Sequence, residues 1–231
     1  MNVLTATNLT KSFGTGESRA TVVQNIHLSV RAGETVLISG PSGSGKTTLL
    51  TMLGCMARPD GGEIQIQNVN VNSLSQAGLT SFRLRHIGFI FQAFRLIPSL
   101  TAIENVQLTM NLAGLHSGSR KACMLLLEEL GIAAKADKKS EVLSGGEKQR
   151  VAIARAIALN PGLILADEPT GSLDGASGKA ATAALVKTAK EKGAGLIIVS
   201  HDPRIELFAD RTLHMEDGRI TEESRRTPTS A

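Results

Sequence analysis

The 231-residue chain carries 25 Lys and Arg against 21 Asp and Glu, a net charge of +4, with 42% hydrophobic and 20% charged residues, six Phe and no Tyr or Trp. This is the composition of a folded domain large enough for an inserted subdomain; it excludes a surface built on stacked aromatics, and so small a charge gives no case for a nucleic-acid partner. No apolar run approaches the ~18 residues of a bilayer span, no basic region with an apolar stretch marks a leader, and Cys55 and Cys123 make no disulfide framework, so a cytoplasmic protein is expected.

In chain order, 3–6, 20–23 and 26–30 alternate and are β-branched, which predicts strands broken by the turn Gly14-Thr15-Gly16. Residues 35–38 predict a buried strand, and 46–56 the helix after it, stopped by Arg58-Pro59-Asp60-Gly61-Gly62. Residues 63–71 predict a strand or hairpin, and 87–91 a further strand. Most of 101–137 has a helical pattern, and Thr101-Ala102-Ile103-Glu104 resembles a capping box. A helix over about 147–159, a strand at 163–166, a helix near 176–191 and a strand at 196–200 follow. Short apolar strands alternating with helices predict a parallel sheet with right-handed crossovers. Residues 224–231 are polar, contain a Pro, and predict a loose tail.

Gly40-Pro41-Ser42-Gly43-Ser44-Gly45-Lys46-Thr47 fits G-x-x-x-x-G-K-[ST], after a predicted strand and opening a predicted helix. Glycines there let backbone N–H groups turn inward around phosphates, the helix N-terminus adds positive partial charge, and Lys46 supplies a point charge. The Thr47 hydroxyl suits Mg²⁺. The plain alternative is a Gly-rich turn with a chance Lys, which the strand–loop–helix context disfavours. Leu163-Ile164-Leu165-Ala166-Asp167-Glu168 is an apolar strand ending in two carboxylates. Asp167 at the strand end can reach a metal shell, and Glu168 can polarise a water toward a terminal phosphate. Alone this is only a buried strand entering a solvated turn; beside the phosphate loop it gains weight.

Ser144 is a natural N-cap, and Gly145 and Gly146 expose backbone N–H groups at the start of the next helix. This second anion site has no Lys-Thr pair, so it reads as a site completing another molecule's triphosphate. An ordinary capped helix is the alternative if the segment stood alone.

Together these segments resemble the ATP-binding cassette (ABC) ATPases. The resemblance covers about residues 1–220, with Walker A at 40–47, the signature Leu143-Ser144-Gly145-Gly146-Glu147 and Walker B at 163–168, in the family's order. Gln92 matches the Q-loop, Ser172-Leu173-Asp174 the D-loop, His201 the switch histidine, and Phe13 the aromatic that stacks on adenine. Each of these has a bland alternative, a structural histidine or a core phenylalanine, that joint placement outweighs. The resemblance implies a P-loop NTPase fold, a RecA-like parallel-sheet core with an antiparallel β subdomain and an inserted α-helical subdomain at about 93–147, the ABC domain occupying 1–223.

It also implies an ATPase that dimerises head to tail around two ATP. Lys46 and the loop with Thr48 would hold the phosphates, Thr47, Gln92 and Asp167 would hold Mg²⁺, Glu168 would activate water, and His201 would contact the γ-phosphate. Ser144, Gly145, Gly146 and Glu147 would act in trans, with Asp174 beside them.

The subfamily words, 14–23, 91–101 and Asp217-Gly218-Arg219-Ile220, look like the lipoprotein-releasing and macrolide-export ATPases. Lys138-Lys139-Ser140 departs from them where relatives often carry a Pro. The implied partner is an integral membrane permease of four-helix type with an extracytoplasmic domain, moving lipoprotein, peptide, haem or drug, with this chain peripheral on the cytoplasmic face. Phe94, Leu96 and Leu100 are candidate contacts to it, core packing being the alternative. A regulator without cargo, like the division-linked member of the subfamily, is the second reading. A soluble DNA-repair or translation ATPase fits poorly, for want of a long heptad insertion or a second cassette.

Overall fold

The computed structural model describes residues 1–225, apart from the side chain of Glu17. Strands β1 (Asn2–Phe13) and β2 (Ala20–Arg31) pair as a long antiparallel hairpin, from Asn2 opposite Arg31 to Phe13 opposite Ala20. The two strands expected at 20–23 and 26–30 are one. Asn25 takes φ +51° at the interruption, opposite the register shifts around Leu9, so a bulge absorbs the break without ending the strand.

Strand β3 (Thr35–Ser39) leads into α1 (Lys46–Leu53), which stops short of the expected residue 56 because Cys55 turns to φ +55°. Strands β4 (Gly61–Ile66) and β5 (Val69–Asn70) are the hairpin read at 63–71. Gln67 and Asn68 between them both have positive φ, as a type I′ hairpin turn requires. The first sheet is thus ordered β2-β1-β4-β5.

Helix α2 (Gln76–His86) has no counterpart in the sequence reading. It buries only Leu79 and Phe82, too thin a stripe to register, and its Ser75 cap accepts from the Gly78 N–H at 3.2 Å. Strand β6 (Ile87–Ile90) follows. The stretch read as mostly helical divides into α3 (Ala102–Leu112) and α4 (Ser119–Glu129). The Thr101 box is present, the Thr101 N–H donating to Glu104 Oε2 at 2.8 Å. Helix α5 (Gly145–Ile157) is capped by Ser144, strand β7 (Leu163–Asp167) ends at the paired acids, and α6 (Gly175–Glu191) leads to β8 (Gly195–Val199).

Two strands close the sheet that the sequence reading did not place, β9 (Arg211–Glu216) and β10 (Arg219–Arg225). Arg211, Leu213 and Met215 turn inward in strict alternation, which was a legible signal. Ser224 and Arg225, expected to open the tail, pair with Thr212 and Arg211 instead; the rest of that tail, 226–231, lies outside the described residues.

The second sheet runs β10-β9-β3-β8-β7-β6, parallel from β9 to β6, with β10 antiparallel at the edge. Alternate residues of its central strands feed two cores, one on each face. Leu37, Ile164, Ala166, Leu196 and Ile198 pack toward α3, α4, α5 and α6. Val36, Ile38, Leu163, Leu165, Ile197 and Val199 pack toward α1 and the hairpin. This is the expected fold, a parallel-sheet core with an antiparallel β sheet and helices inserted between β6 and β7. Among the described residues no helix is long and apolar enough to cross a membrane.

Gly88 sets how closely β6 approaches α5, since a Cβ there would lie 2.4 Å from the Ala156 carbonyl oxygen. Backbone cannot yield as a flexible side chain can, so Gly88→Ala should cost about 1–3 kcal/mol of folding stability. Chemical denaturation checks it, with a lower midpoint at unchanged slope expected.

Candidate functional site

The glycine-rich loop joins β3 to α1 at the carboxyl edge of the parallel sheet, where ligands of such sheets gather. Gly40 has φ +140°, and a Cβ on it would fall 2.0 Å from the Met215 carbonyl oxygen. Gly45 caps α1 at φ +97°, with the Val22 carbonyl 2.4 Å from where its Cβ would be. Only glycine allows this close passage over β2 and β9. The β9–β10 turn braces the loop as well, the Gly218 N–H donating to the Ser44 carbonyl at 3.1 Å.

Lys46 is buried and turns back onto its own loop. Its Nζ donates to the carbonyls of Gly40 (2.9 Å) and Pro41 (2.7 Å) and to Ser44 Oγ (3.4 Å). Burial pulls its pKa below the usual lysine value, against the pull of Glu168 and Asp167. The charge is thus held where a phosphate would lie, waiting for an anion.

A cavity of about 450 Å³ opens beside it, lined by Val22, Ser42, Gly43, Gly45, Lys46, Thr47, Thr48, Gln92, Glu168 and His201. The structure therefore gathers residues from β2, the loop, α1 and the ends of β6, β7 and β8 around one space. Val22 was not among the sequence candidates; it read simply as a strand residue.

Asp167 ends β7, and the Thr47 hydroxyl donates to its Oδ1 at 3.2 Å. Burial raises the Asp167 pKa, the Thr47 bond opposes this, Glu168 adds to it and Lys46 subtracts. A raised carboxylate pKa means the buried charge costs stability once the pH exceeds the folded value, and costs nothing below the ordinary value near 3.8. Asp167→Asn should therefore raise the melting temperature of the nucleotide-free protein at about pH 7.5. The gain should shrink as the pH falls toward 3.8, followed by calorimetry across that range.

Glu168 follows at φ +46°, unusual for a residue with a side chain, held by its N–H donating to the Val199 carbonyl at 2.9 Å. Its Oε1 lies 2.8 Å from His201 Nδ1, and its Oε2 accepts from Ser200 Oγ at 3.3 Å. With the carboxylate ionised, Nδ1 is the donating nitrogen, which leaves Nε2 for a ligand. Ser200 was not a sequence candidate. Gln92 lines the cavity from the end of β6, and its carbonyl accepts from Ser172 Oγ at 3.2 Å.

Several other sequence candidates do not line this cavity. Phe13, 51% exposed, ends β1 with Lys11 Nζ 5.6 Å from its ring centroid. Ser144, Gly145, Gly146 and Glu147 open α5, and Asp174 caps α6 by accepting from the N–H groups of Ala176 (3.1 Å) and Ser177 (3.0 Å). These two helix starts touch. A Cβ on Gly145 would lie 3.1 Å from Leu173 Cδ2, and one on Gly146 3.4 Å from Ser177 Cβ. The Glu147 carboxylate is turned back to accept from the Ser144 N–H at 2.8 Å, which lowers its pKa, and lies 3.6 Å from Lys135 Nζ. Of the candidate contacts at 94–100, Leu96 packs against the core, while Ile97 beside it is exposed.

A loop wrapped for phosphates between a parallel strand and a helix, with acids at the end of a neighbouring strand, defines a P-loop nucleoside triphosphatase. The family model described as ABC transporter matches residues 23–171, and the chain belongs to that family as an ATP-binding, ATPase subunit. The lipoprotein-releasing system ATP-binding protein LolD of Geobacter metallireducens is 41% identical over 220 residues, 95% of this chain and 98% of that protein. The macrolide export ATP-binding/permease protein MacB of Rhodopirellula baltica is 41% identical over 94% of this chain, which spans 32% of that longer protein. The dimeric structure of the cassette MJ0796, from Methanocaldococcus jannaschii, superposes with a TM-score of 0.89 at 41% identity, covering 97% of this chain and 99% of that one. The same cassette has also been solved in a dimeric post-hydrolysis state bound to ADP and Pi, again with a TM-score of 0.89.

Proposed function

We propose that two copies of this chain close head to tail around two ATP and drive a separate membrane permease. The observation that carries this is the division of the site. The cavity is lined by Lys46 and Glu168 but by no signature residue, while the surface at the start of α5 presents the first N–H groups of a helix but no lysine. Each half supplies what the other lacks only when two copies face each other.

Lys46 and the N–H groups of 43–48 hold the phosphates, and Ser144, Gly145 and Gly146 reach the γ-phosphate of the facing copy. Asp174 sits beside them, and the Glu147 carboxylate serves by fixing the signature turn. Phe13 offers its exposed ring to adenine. The adjacent oxygens of Thr47 and Asp167, with the Gln92 amide on the same cavity, fit Mg²⁺, which takes one or two protein oxygens and completes its shell with phosphates. When bound, that ion supplies charge neutralisation of the phosphates.

Glu168 accepts a proton from water as the water oxygen bonds to the γ-phosphorus and the bond to the ADP oxygen breaks. His201, anchored through Nδ1, presents Nε2 to the γ-phosphate. Loss of that phosphate loosens the closed pair and passes the stroke to the permease. The relatives named for lipoprotein release and macrolide export support an exporting or extracting translocase. In this reading the permease is of four-helix type with an extracytoplasmic domain, and this chain lies on the cytoplasmic face.

Purification of the tagged full-length chain from detergent-solubilised membranes tests this. An integral membrane subunit should co-purify and raise ATP turnover. Recovery only as a soluble protein on ribosomes or DNA would overturn it.

A further inference from the structure

From Gln92 to the start of α3 the chain runs as a strap. Two consecutive residues of it, Phe94 (φ +58°) and Arg95 (φ +50°), occupy the left-handed region that residues with a Cβ seldom adopt. Such a pair persists only where its surroundings over-determine it.

Here one side chain from α5 does so. Arg155 donates from Nη1 to the Arg95 carbonyl at 2.5 Å and from Nη2 to the Phe94 carbonyl at 2.8 Å. The planar fork of a guanidinium matches two neighbouring oxygens. Arg155 is half-buried, its pKa is lowered by that burial, and among the described residues it has no ion-pair partner. Its donors are therefore committed to the strap rather than to a neutralising acid.

The far half of the strap is held separately. The fully buried Asn105 of α3 accepts from the Ile97 N–H at 2.8 Å and donates to the carbonyls of Ile97 and Leu100. Ser140 donates from Oγ to the Ile97 carbonyl at 2.7 Å and from its N–H to the Leu100 carbonyl at 2.9 Å. That second bond needs an N–H, which a proline at this place would lack.

Helix α5 thus carries the signature glycines in its first turn and the strap's clamp near its other end. We propose that Arg155 is a positioning residue that locks the Gln92 strap to the signature helix. The contact to one ATP in cis and the contact to the other in trans then move as one body. This rests on the head-to-tail reading above. The phosphate loop lies on β3 and α1, outside this body, so nucleotide capture by a single copy does not need the clamp, whereas closure of two copies does.

Arg155→Met and Arg155→Lys, each in the full-length chain carrying Glu168→Gln, test it. Affinity of the single copy for a fluorescent ATP analogue should stay within about twofold of the parent. The dissociation constant of the ATP-dependent dimer, measured by analytical ultracentrifugation, should rise about tenfold or more for methionine, as for a lost hydrogen bond to a charged group. Lysine, which keeps the charge but not the fork, should fall between. Unchanged dimerisation in both variants would overturn the proposal, as would nucleotide affinity falling in step with dimerisation, the mark of a packing role only. If the methionine variant fails to fold, the lysine variant is judged by the same two measurements. Failure of the parent itself to dimerise with ATP would instead remove the head-to-tail reading, and this inference with it.

Discussion

Glu168→Gln should stop ATP turnover and leave a long-lived ATP-bound dimer. Glutamine has nearly the volume of glutamate and can still meet His201 and Ser200, so the cavity keeps its shape. What disappears is the negative charge 2.8 Å from His201 Nδ1 and with it the acceptor for the water proton. A positioned general base contributes ~10²–10⁴-fold, and turnover should fall by that order. Phosphate release under saturating ATP measures the loss, and gel filtration with ATP shows whether the dimer accumulates. Turnover within about tenfold of the parent would remove Glu168 from the proton-accepting role.

Lys46→Ala should act one step earlier, on capture of the nucleotide. The buried ammonium is parked on the Gly40 and Pro41 carbonyls, ready to swing to the phosphates. Charge-assisted hydrogen bonds of this kind carry about 1.5–3 kcal/mol each, so ATP affinity should drop by roughly a hundredfold and turnover should reach background. The variant should still fold. The burial that lowers the lysine pKa is a cost to the free protein, removed along with the charge, and it offsets the lost bonds to the loop. Nucleotide titration and a melting curve separate the two effects. Wild-type turnover in this variant would be incompatible with the assignment.

Much of the site was legible because its parts are local. The phosphate loop, the acids after β7 and the histidine after β8 each sit on a strand end that apolar pattern and length reveal. What joins them is not local. Glu168 meets His201 because β7 and β8 are neighbours in register, Asp167 opposite Val199, and because Glu168 adopts a left-handed φ that no pattern announces. Ser200 and Val22 became visible only through that pairing and through the loop's passage over β2.

In the fold, α2 was missed because two buried residues in a mostly polar stretch make no periodic signal. Strand β9 was missed although its alternation was legible, because a charged residue, Arg211, opens the buried set and only Leu213 and Met215 in it are apolar; β10 has no buried position to mark it. The runs 20–23 and 26–30 belong to one strand because the chain bulges at Asn25 between them without leaving the ladder.

The brace under the phosphate loop has a consequence for how the protein comes into being. Strand β9 supplies the far neighbour of β3, and the Gly218 turn props Ser44, yet both lie late in the chain. During synthesis β3 and the loop leave the ribosome long before the segments that steady them. A nascent chain therefore carries the complete nucleotide motif before the strand and the turn that brace it have been made.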